Sequence, residues 1–132
     1  MLLGVPKEIK VHEYRVGMTP SSVRELVHHG HQVLVQANAG AAIGLSDEAY
    51  HAAGAQIVAT AADVFARAEM IVKVKEPQAA ECAMLRAGQI LFTYLHLAAD
   101  PAQAHALIAS GCTAIAYETV TDANAACRCW PR

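Results

Sequence analysis

The chain opens Met1-Leu-Leu-Gly-Val-Pro-Lys-Glu-Ile-Lys-Val-His-Glu-Tyr-Arg-Val-Gly-Met-Thr-Pro20, and the reading of this stretch decides the fold. Residues 2–5 are an apolar run ended by Pro6, which fixes φ and removes a backbone donor, so a short buried strand is expected. A charged loop follows, with Arg15 set between Tyr14 and Val16. Thr19-Pro20 then supplies an N-cap and a proline at the first helical position, the usual opening of a helix. Strand, loop and helix in this order form half of a βαβ unit. A lone arginine beyond the carboxyl end of a first strand is either a solvated charge or an anion holder, and spacing alone leaves both readings open.

The rest of the chain repeats the unit. Val23, Leu26 and Val27 recur at helical spacing and Gly30 stops that helix. Residues 31–36 read as a second strand. Ser46-Asp-Glu48 opens a second helix with acidic residues at its positive end, and Gly54 closes it. Residues 56–59 read as the third strand, and Thr60 caps a helix that buries Val64 and Phe65. Residues 70–74 read as the fourth strand and deliver Lys75, Glu76 and Pro77. A helix over 79–87 stopped by Gly88, a fifth strand over 89–94 delivering His96, and a helix opened by Asp100-Pro101 follow in turn. Residues 112–116 form the sixth strand, which delivers Tyr117 and Glu118.

Six strands alternating with five helices predict an α/β fold: a doubly wound, Rossmann- or flavodoxin-like parallel sheet with helices on both faces. In such sheets ligands bind beyond the carboxyl ends of the strands, where Arg15, Lys75, His96 and Glu118 all fall. Loop charges must lie at one end or the other, so this pattern alone does not decide between a site and a solvated rim.

Composition agrees with this class. The 132 residues are 55% hydrophobic but only 5% aromatic, so small aliphatic side chains fill the core, as under helices on a parallel sheet. A formal charge of −2 gives no basic footprint for nucleic acid. No apolar run is long enough for a membrane span, and Lys7, Glu8 and Lys10 follow the first strand too closely for a signal peptide. A cytoplasmic protein is expected. Cys82 and Cys112 read as free thiols, and Cys127-Arg-Cys129 lacks zinc-knuckle spacing, so no metal site is expected. His28, His29 and His31 flank a helix stop, while His12, His51 and His105 read as surface groups.

No two glycines are separated by a single residue, so a G-x-G-x-x-G fingerprint is absent, as is a Walker-type loop. Gly40-Ala-Ala-Ile-Gly44 lacks the lysine of a phosphate loop and reads as a plain loop. No serine sits in a G-x-S-x-G elbow.

Five segments carry a resemblance: Gly4-Val-Pro-Lys-Glu-Ile-Lys10, Glu13-Tyr-Arg-Val-Gly-Met-Thr-Pro20, Ser46-Asp-Glu-Ala-Tyr50, Val72-Lys-Val-Lys-Glu-Pro77 and Phe92-Thr-Tyr-Leu-His-Leu97. In order and spacing, the chain closely resembles the amino-terminal portion of bacterial alanine dehydrogenases over residues 1–124. Nicotinamide nucleotide transhydrogenases share the opening pattern but usually lack the Lys-Glu-Pro and Tyr-Leu-His stretches. The resemblance implies an enzyme interconverting L-alanine with pyruvate and ammonium, with NAD as cofactor, in cytoplasmic homohexamers. It assigns Arg15 and Lys75 to the substrate's carboxylate and carbonyl oxygen, His96 to acid–base catalysis and Tyr94 to the pocket wall; Glu118 is read as structural. These residue types suit the roles: a planar fork for a carboxylate, a point charge for an oxygen gaining negative charge, and an imidazole that titrates near neutrality.

The family continues with a dinucleotide-binding domain and a second catalytic carboxylate, so this chain is expected to bind no NAD alone and to be inactive alone. A non-catalytic small-carboxylate-binding or assembly module, or a transhydrogenase subunit fragment, is the alternative. Where relatives continue after Asp122-Ala-Asn124 with Gly-Arg-Leu-Pro-Leu-Leu-Ala, this chain reads Ala125-Ala-Cys-Arg-Cys-Trp-Pro131. Codons GCC GCC TGC CGC TGC TGG CCC preceded by one G become GGC CGC CTG CCG CTG CTG GCC, which encode the family's residues. Residues 125–132 are therefore expected to be an out-of-frame tail left by a single-base deletion or a sequencing error.

Overall fold

The computed structural model describes residues 1–123. The expected out-of-frame tail, with Cys127, Cys129 and Trp130, lies outside the described residues. Elements alternate as anticipated: β1 (Leu2–Val5), α1 (Pro20–His28), β2 (Gln32–Gln36), α2 (Asp47–Ala52), β3 (Gln56–Val58), α3 (Ala61–Arg67), β4 (Met70–Val72), α4 (Ala79–Cys82), β5 (Ile90–Thr93), α5 (Pro101–Ser110) and β6 (Thr113–Ala116). The six strands form one parallel sheet in the order β3-β2-β1-β4-β5-β6. The order reverses between β1 and β4, so the loops leaving those strands diverge to opposite faces and open a crevice, the place where doubly wound sheets take ligands.

Helices cover both faces, and side-chain alternation sorts the core into two layers. Along β2, Leu34 joins Val64, Phe65, Ile71, Leu91 and Leu107 under α3, α4 and α5, whereas Val33 and Val35 join Val23 and Tyr50 under α1 and α2. The helix starts follow from local chemistry. Thr19, Ser46, Thr60 and Asp100 each accept an amide hydrogen bond in the first turn, and Pro20 and Pro101 open α1 and α5.

Four strands begin or end one residue inside their expected bounds, and two boundaries move further, each because a side chain captures a backbone amide. The fourth strand ends at Val72 and not at residue 74, since the Val74 amide donates to Glu8 Oε1 at 2.7 Å. The fourth long helix stops at Cys82, well short of residue 87. The Arg86 amide donates to the Gln89 side chain, and Leu85 and Gln89 turn inward, the latter donating from Nε2 to the carbonyls of Phe65 and Ala68. Among the described residues, no helix is long and apolar enough to cross a membrane.

A buried ion cluster ties the crevice together. Lys73 Nζ donates to Glu8 Oε2 at 2.9 Å and to Glu81 Oε1 at 2.8 Å, with all three side chains 2% exposed or less. Glu8 belongs to the loop after β1, Lys73 follows β4 and Glu81 sits on α4. Burial pushes the Glu8 carboxyl above its ordinary value, and the attraction of Lys73 offsets this only in part. The same loop is pressed against β4 at Gly17, where a Cβ would stand 2.5 Å from the Val72 carbonyl oxygen. Gly4 likewise admits α3, since a Cβ there would lie 2.6 Å from Val64 Cγ1 and 2.7 Å from the Ala68 Cβ.

Three outcomes follow for urea unfolding of the full chain. Lys73→Met leaves two buried carboxylates without a cation and is expected to cost about 3–5 kcal/mol. Gly4→Ala forces α3 off the sheet and is expected to cost about 1–3 kcal/mol. Because Glu8 titrates higher folded than unfolded, the native state holds more protons in that window. Its contribution is complete below the unfolded value and is lost as pH rises through the folded one. The stability of the wild type minus that of Glu8→Gln is therefore expected to fall as pH rises from about 4 upward; a difference independent of pH would remove the burial argument.

Candidate functional site

The residues singled out in the sequence stand on loops that leave the carboxyl ends of the central strands: Arg15 after β1, Lys75 after β4, Tyr94 and His96 after β5. The β1 loop is held at both ends. Near its start, Glu8 is locked to Lys73, and Lys10 pairs with Glu76 of the β4 loop. Near its end, the buried Tyr50 hydroxyl donates to the Met18 carbonyl at 2.6 Å.

Arg15 lies in the exposed middle of that loop, but its guanidinium is not free in space. Nε and Nη2 donate to the two carboxylate oxygens of Glu13 at 2.9 and 2.7 Å, a bidentate pair in which the Glu13 side chain is 7% exposed and that of Arg15 63%. Hydrogen bonding to Arg15 holds the Glu13 carboxyl below its ordinary value, and Glu13 raises the Arg15 guanidinium further. Glu13 takes the Nε edge of the fork, which leaves the Nη1 end for an external oxyanion. A cleft of about 340 Å³ beside the loop is lined in part by Lys7, Lys10, His12, Glu13, Tyr14 and Arg15. Lys75, Tyr94 and His96 do not line it.

Those three form a second cluster, built on rings. Lys75 Nζ stands 4.6 Å from the Tyr94 ring centroid, within cation–π range. The His96 ring stacks on Tyr94 at 5.7 Å and 11° between planes, and the Tyr94 hydroxyl meets His96 Nδ1 at 3.0 Å. His96 has φ 48° and ψ 44°, a left-handed conformation that few residues other than glycine adopt. Thr93 anchors the strand beneath by donating its hydroxyl to the Lys75 carbonyl at 2.8 Å.

Tyr117 stands between the two clusters. Its ring lies 6.4 Å from that of Tyr94 and its hydroxyl donates to the Val74 carbonyl at 2.6 Å. Burial raises its phenol above the ordinary value, while the Arg15 charge works against this. Glu13 in turn feels the charge of Lys75. The structure thus brings Arg15, Lys75, Tyr94 and His96 to one end of the sheet, as an Arg15–Glu13 pair and a Lys75–Tyr94–His96 cluster with Tyr117 beside Tyr94.

Sequence reading missed Glu13, Tyr117 and Lys73 as participants, and placed Glu118 at this end of the sheet only as a structural residue. Glu13 carried a signal, a carboxylate two residues before the candidate arginine. The Tyr117-Glu118 pair had been placed at the end of β6, but no pattern said that β6 neighbours β5 closely enough to reach His96. Lys73 lies inside the stretch read as the fourth strand, where nothing marked it as the centre of an ion cluster.

The connection from β1 to α1 does not fit the pyrophosphate of a dinucleotide. It occupies residues 6–19, its one glycine is pressed on Val72, and α1 starts under a Thr19 cap with proline in its first turn. A pyrophosphate needs a tight glycine-bearing turn and open helix-start amides there.

Comparison with known proteins places the chain in a family. Residues 4–129 match the family model described as alanine dehydrogenase/PNT, N-terminal domain. The chain is 59% identical over 121 residues to an alanine dehydrogenase of Halomonas elongata, which covers 92% of this chain and 33% of that protein. A solved L-alanine dehydrogenase superposes with a TM-score of 0.92 at 52% identity, over 96% of this chain and 35% of that one. A transhydrogenase of Sinorhizobium meliloti superposes at 0.84 with 31% identity, over 90% of this chain and 35% of that one. The chain spans about a third of the length of the curated relatives it matches. With the matched family covering nearly all of its residues, the chain belongs to the alanine dehydrogenase/PNT N-terminal-domain family.

Proposed function

We propose that residues 1–124 are the substrate-binding half of an NAD-dependent alanine dehydrogenase site, which converts L-alanine, NAD and water to pyruvate, ammonium and NADH when the rest of the machinery is supplied. The observation that carries this reading is the convergence of Arg15, Lys75, Tyr94 and His96 on the carboxyl ends of β1, β4 and β5, beside the switch point. Relatives named as alanine dehydrogenases at 52–59% identity support it.

In this reading Arg15 clamps the substrate carboxylate through the part of its fork that Glu13 leaves open, and Glu13 keeps the guanidinium from swinging away. Lys75 rests on the Tyr94 ring and faces the carbonyl oxygen, whose negative charge grows during reduction of the keto acid. His96 gives or takes the proton at that oxygen, and Tyr94 walls the pocket. Hydride transfer is not assigned to these residues, because the chain's glycines build no dinucleotide cradle. The chain by itself is proposed to be inactive, with residues 125–132 an out-of-frame tail. The homohexamer is a proposal drawn from the family, as is residence in the cytoplasm.

A second reading rests on the same missing cradle: a module that binds a small carboxylate without turning it over, or a transhydrogenase subunit fragment. The Lys75-Glu-Pro77 stretch favours the dehydrogenase over the transhydrogenase.

Titration calorimetry of the purified chain with pyruvate tests the site. Binding is expected, and Arg15→Ala should weaken it by roughly 10- to 160-fold, the worth of about 1.5–3 kcal/mol for hydrogen bonds to a charged group. Equal affinity in wild type and variant would overturn the clamp. Mixing the chain with L-alanine and NAD is expected to form no NADH, and turnover would overturn its assignment as half a site.

A further inference from the structure

We propose that Glu118 is a positioning residue for His96, setting which ring nitrogen of that histidine is left to exchange a proton with substrate. The inference rests on the acid–base role given to His96 above. Glu118 belongs to the short 3-10 turn Tyr117–Thr119 that follows β6, so it reaches the site from the strand next to β5. Its Oε1 accepts two consecutive backbone amides, Leu95 N–H at 3.1 Å and His96 N–H at 3.0 Å. One oxygen bound to two adjacent amides fixes the direction of both peptide planes.

That constraint falls at a turn in the backbone. His96 is left-handed, with φ 48° and ψ 44°, a region that costs a residue with a Cβ some free energy. Leu95, 2% exposed, anchors one side of the turn in the core, and the following 3-10 turn is closed by Ala99 N–H donating to the His96 carbonyl at 3.1 Å. The carboxylate supplies the remaining hold. With the backbone set, the imidazole lies on the Tyr94 ring and Nδ1 meets the Tyr94 hydroxyl. Nε2 makes no hydrogen bond among the described residues, so it is the nitrogen open to substrate.

The proton balance is simple. An imidazolium that gives up its Nε2 proton becomes a neutral ring with Nδ1–H donating to the Tyr94 oxygen, and the reverse step regains the proton at Nε2. A hydroxyl can also donate to a bare Nδ1, so the contact survives in every state of the ring. A hydroxyl partner of this kind keeps Nδ1 occupied whichever way the proton moves at Nε2.

Nitrogen-15 NMR of the full chain, labelled at histidine, reads this without turnover. In the wild type the His96 Nδ1 resonance is expected to be displaced from that of an exposed histidine, and Tyr94→Phe should abolish the displacement. Glu118→Ala is expected to abolish it as well, whereas Glu118→Gln, whose carboxamide oxygen still accepts both amides, should restore most of it. A wild-type resonance in Glu118→Ala overturns the proposal, and so does a Glu118→Gln that behaves like the alanine variant. Should Glu118→Ala not fold, hydrogen exchange in the wild type decides: the Leu95 and His96 amides should exchange about tenfold or more slowly than the unbonded Leu97 amide, and equal rates overturn the proposal. Pyruvate calorimetry reports separately on the substrate site, so failure there leaves the His96 resonances to be judged alone.

Discussion

The ammonium of Lys73 sits inside the protein, and the carboxylates of Glu8 and Glu81 are the reason it can. Removing an ion from water costs several kcal/mol, which close pairing and further hydrogen bonds must offset. Here each glutamate spends its other oxygen on a backbone amide, Glu8 on Val74 and Glu81 on Gln78. The cluster therefore does more than balance charge. It ends β4, starts α4 and pins the long loop after β1.

The candidate site inherits its geometry from that arrangement. Arg15 and Lys75 ride on loops whose roots are locked together by Lys73 and whose approach is set by Gly17 lying on Val72. Two like charges brought to one surface repel each other. Glu13 and the Tyr94 ring face answer this, one with a full charge on Arg15 and one with a quadrupole under Lys75. The result is a surface on which the Arg15 and Lys75 side chains are each held by a partner, which under the proposed function leaves less side-chain entropy to be lost on binding a carboxylate.

Much of this could be read from the chain. Caps at Thr19, Ser46, Thr60 and Asp100, stops at Gly30, Gly54 and Gly111, and apolar runs between them are local signals, because the groups that cap or break a helix lie within a few residues of its end. The strand after Met70 and the helix after Ala79 were read too long for the complementary reason. Their ends are decided by Glu8, Gln89 and Lys73, partners far away in sequence or hidden inside an apolar pattern. Arg15, Lys75, Tyr94 and His96 stood out through a five-segment resemblance, and their common position at one end of the sheet followed from strand order. Their contacts did not.

By itself, then, the sequence determined a doubly wound parallel fold, the placing of Arg15, Lys75 and His96 on loops beyond the strands, and the lack of a glycine-rich dinucleotide turn. These depend on periodicity, caps and spacing, all of which act at short range. Only the tertiary structure decided that Lys73 is structural while Lys75 is presented, that Glu13 occupies one edge of the Arg15 fork, and that Glu118 crosses from β6 to hold His96. Each of those depends on the distance between residues separated by many others along the chain, or on whether a charge faces water or the core, and folding alone sets both.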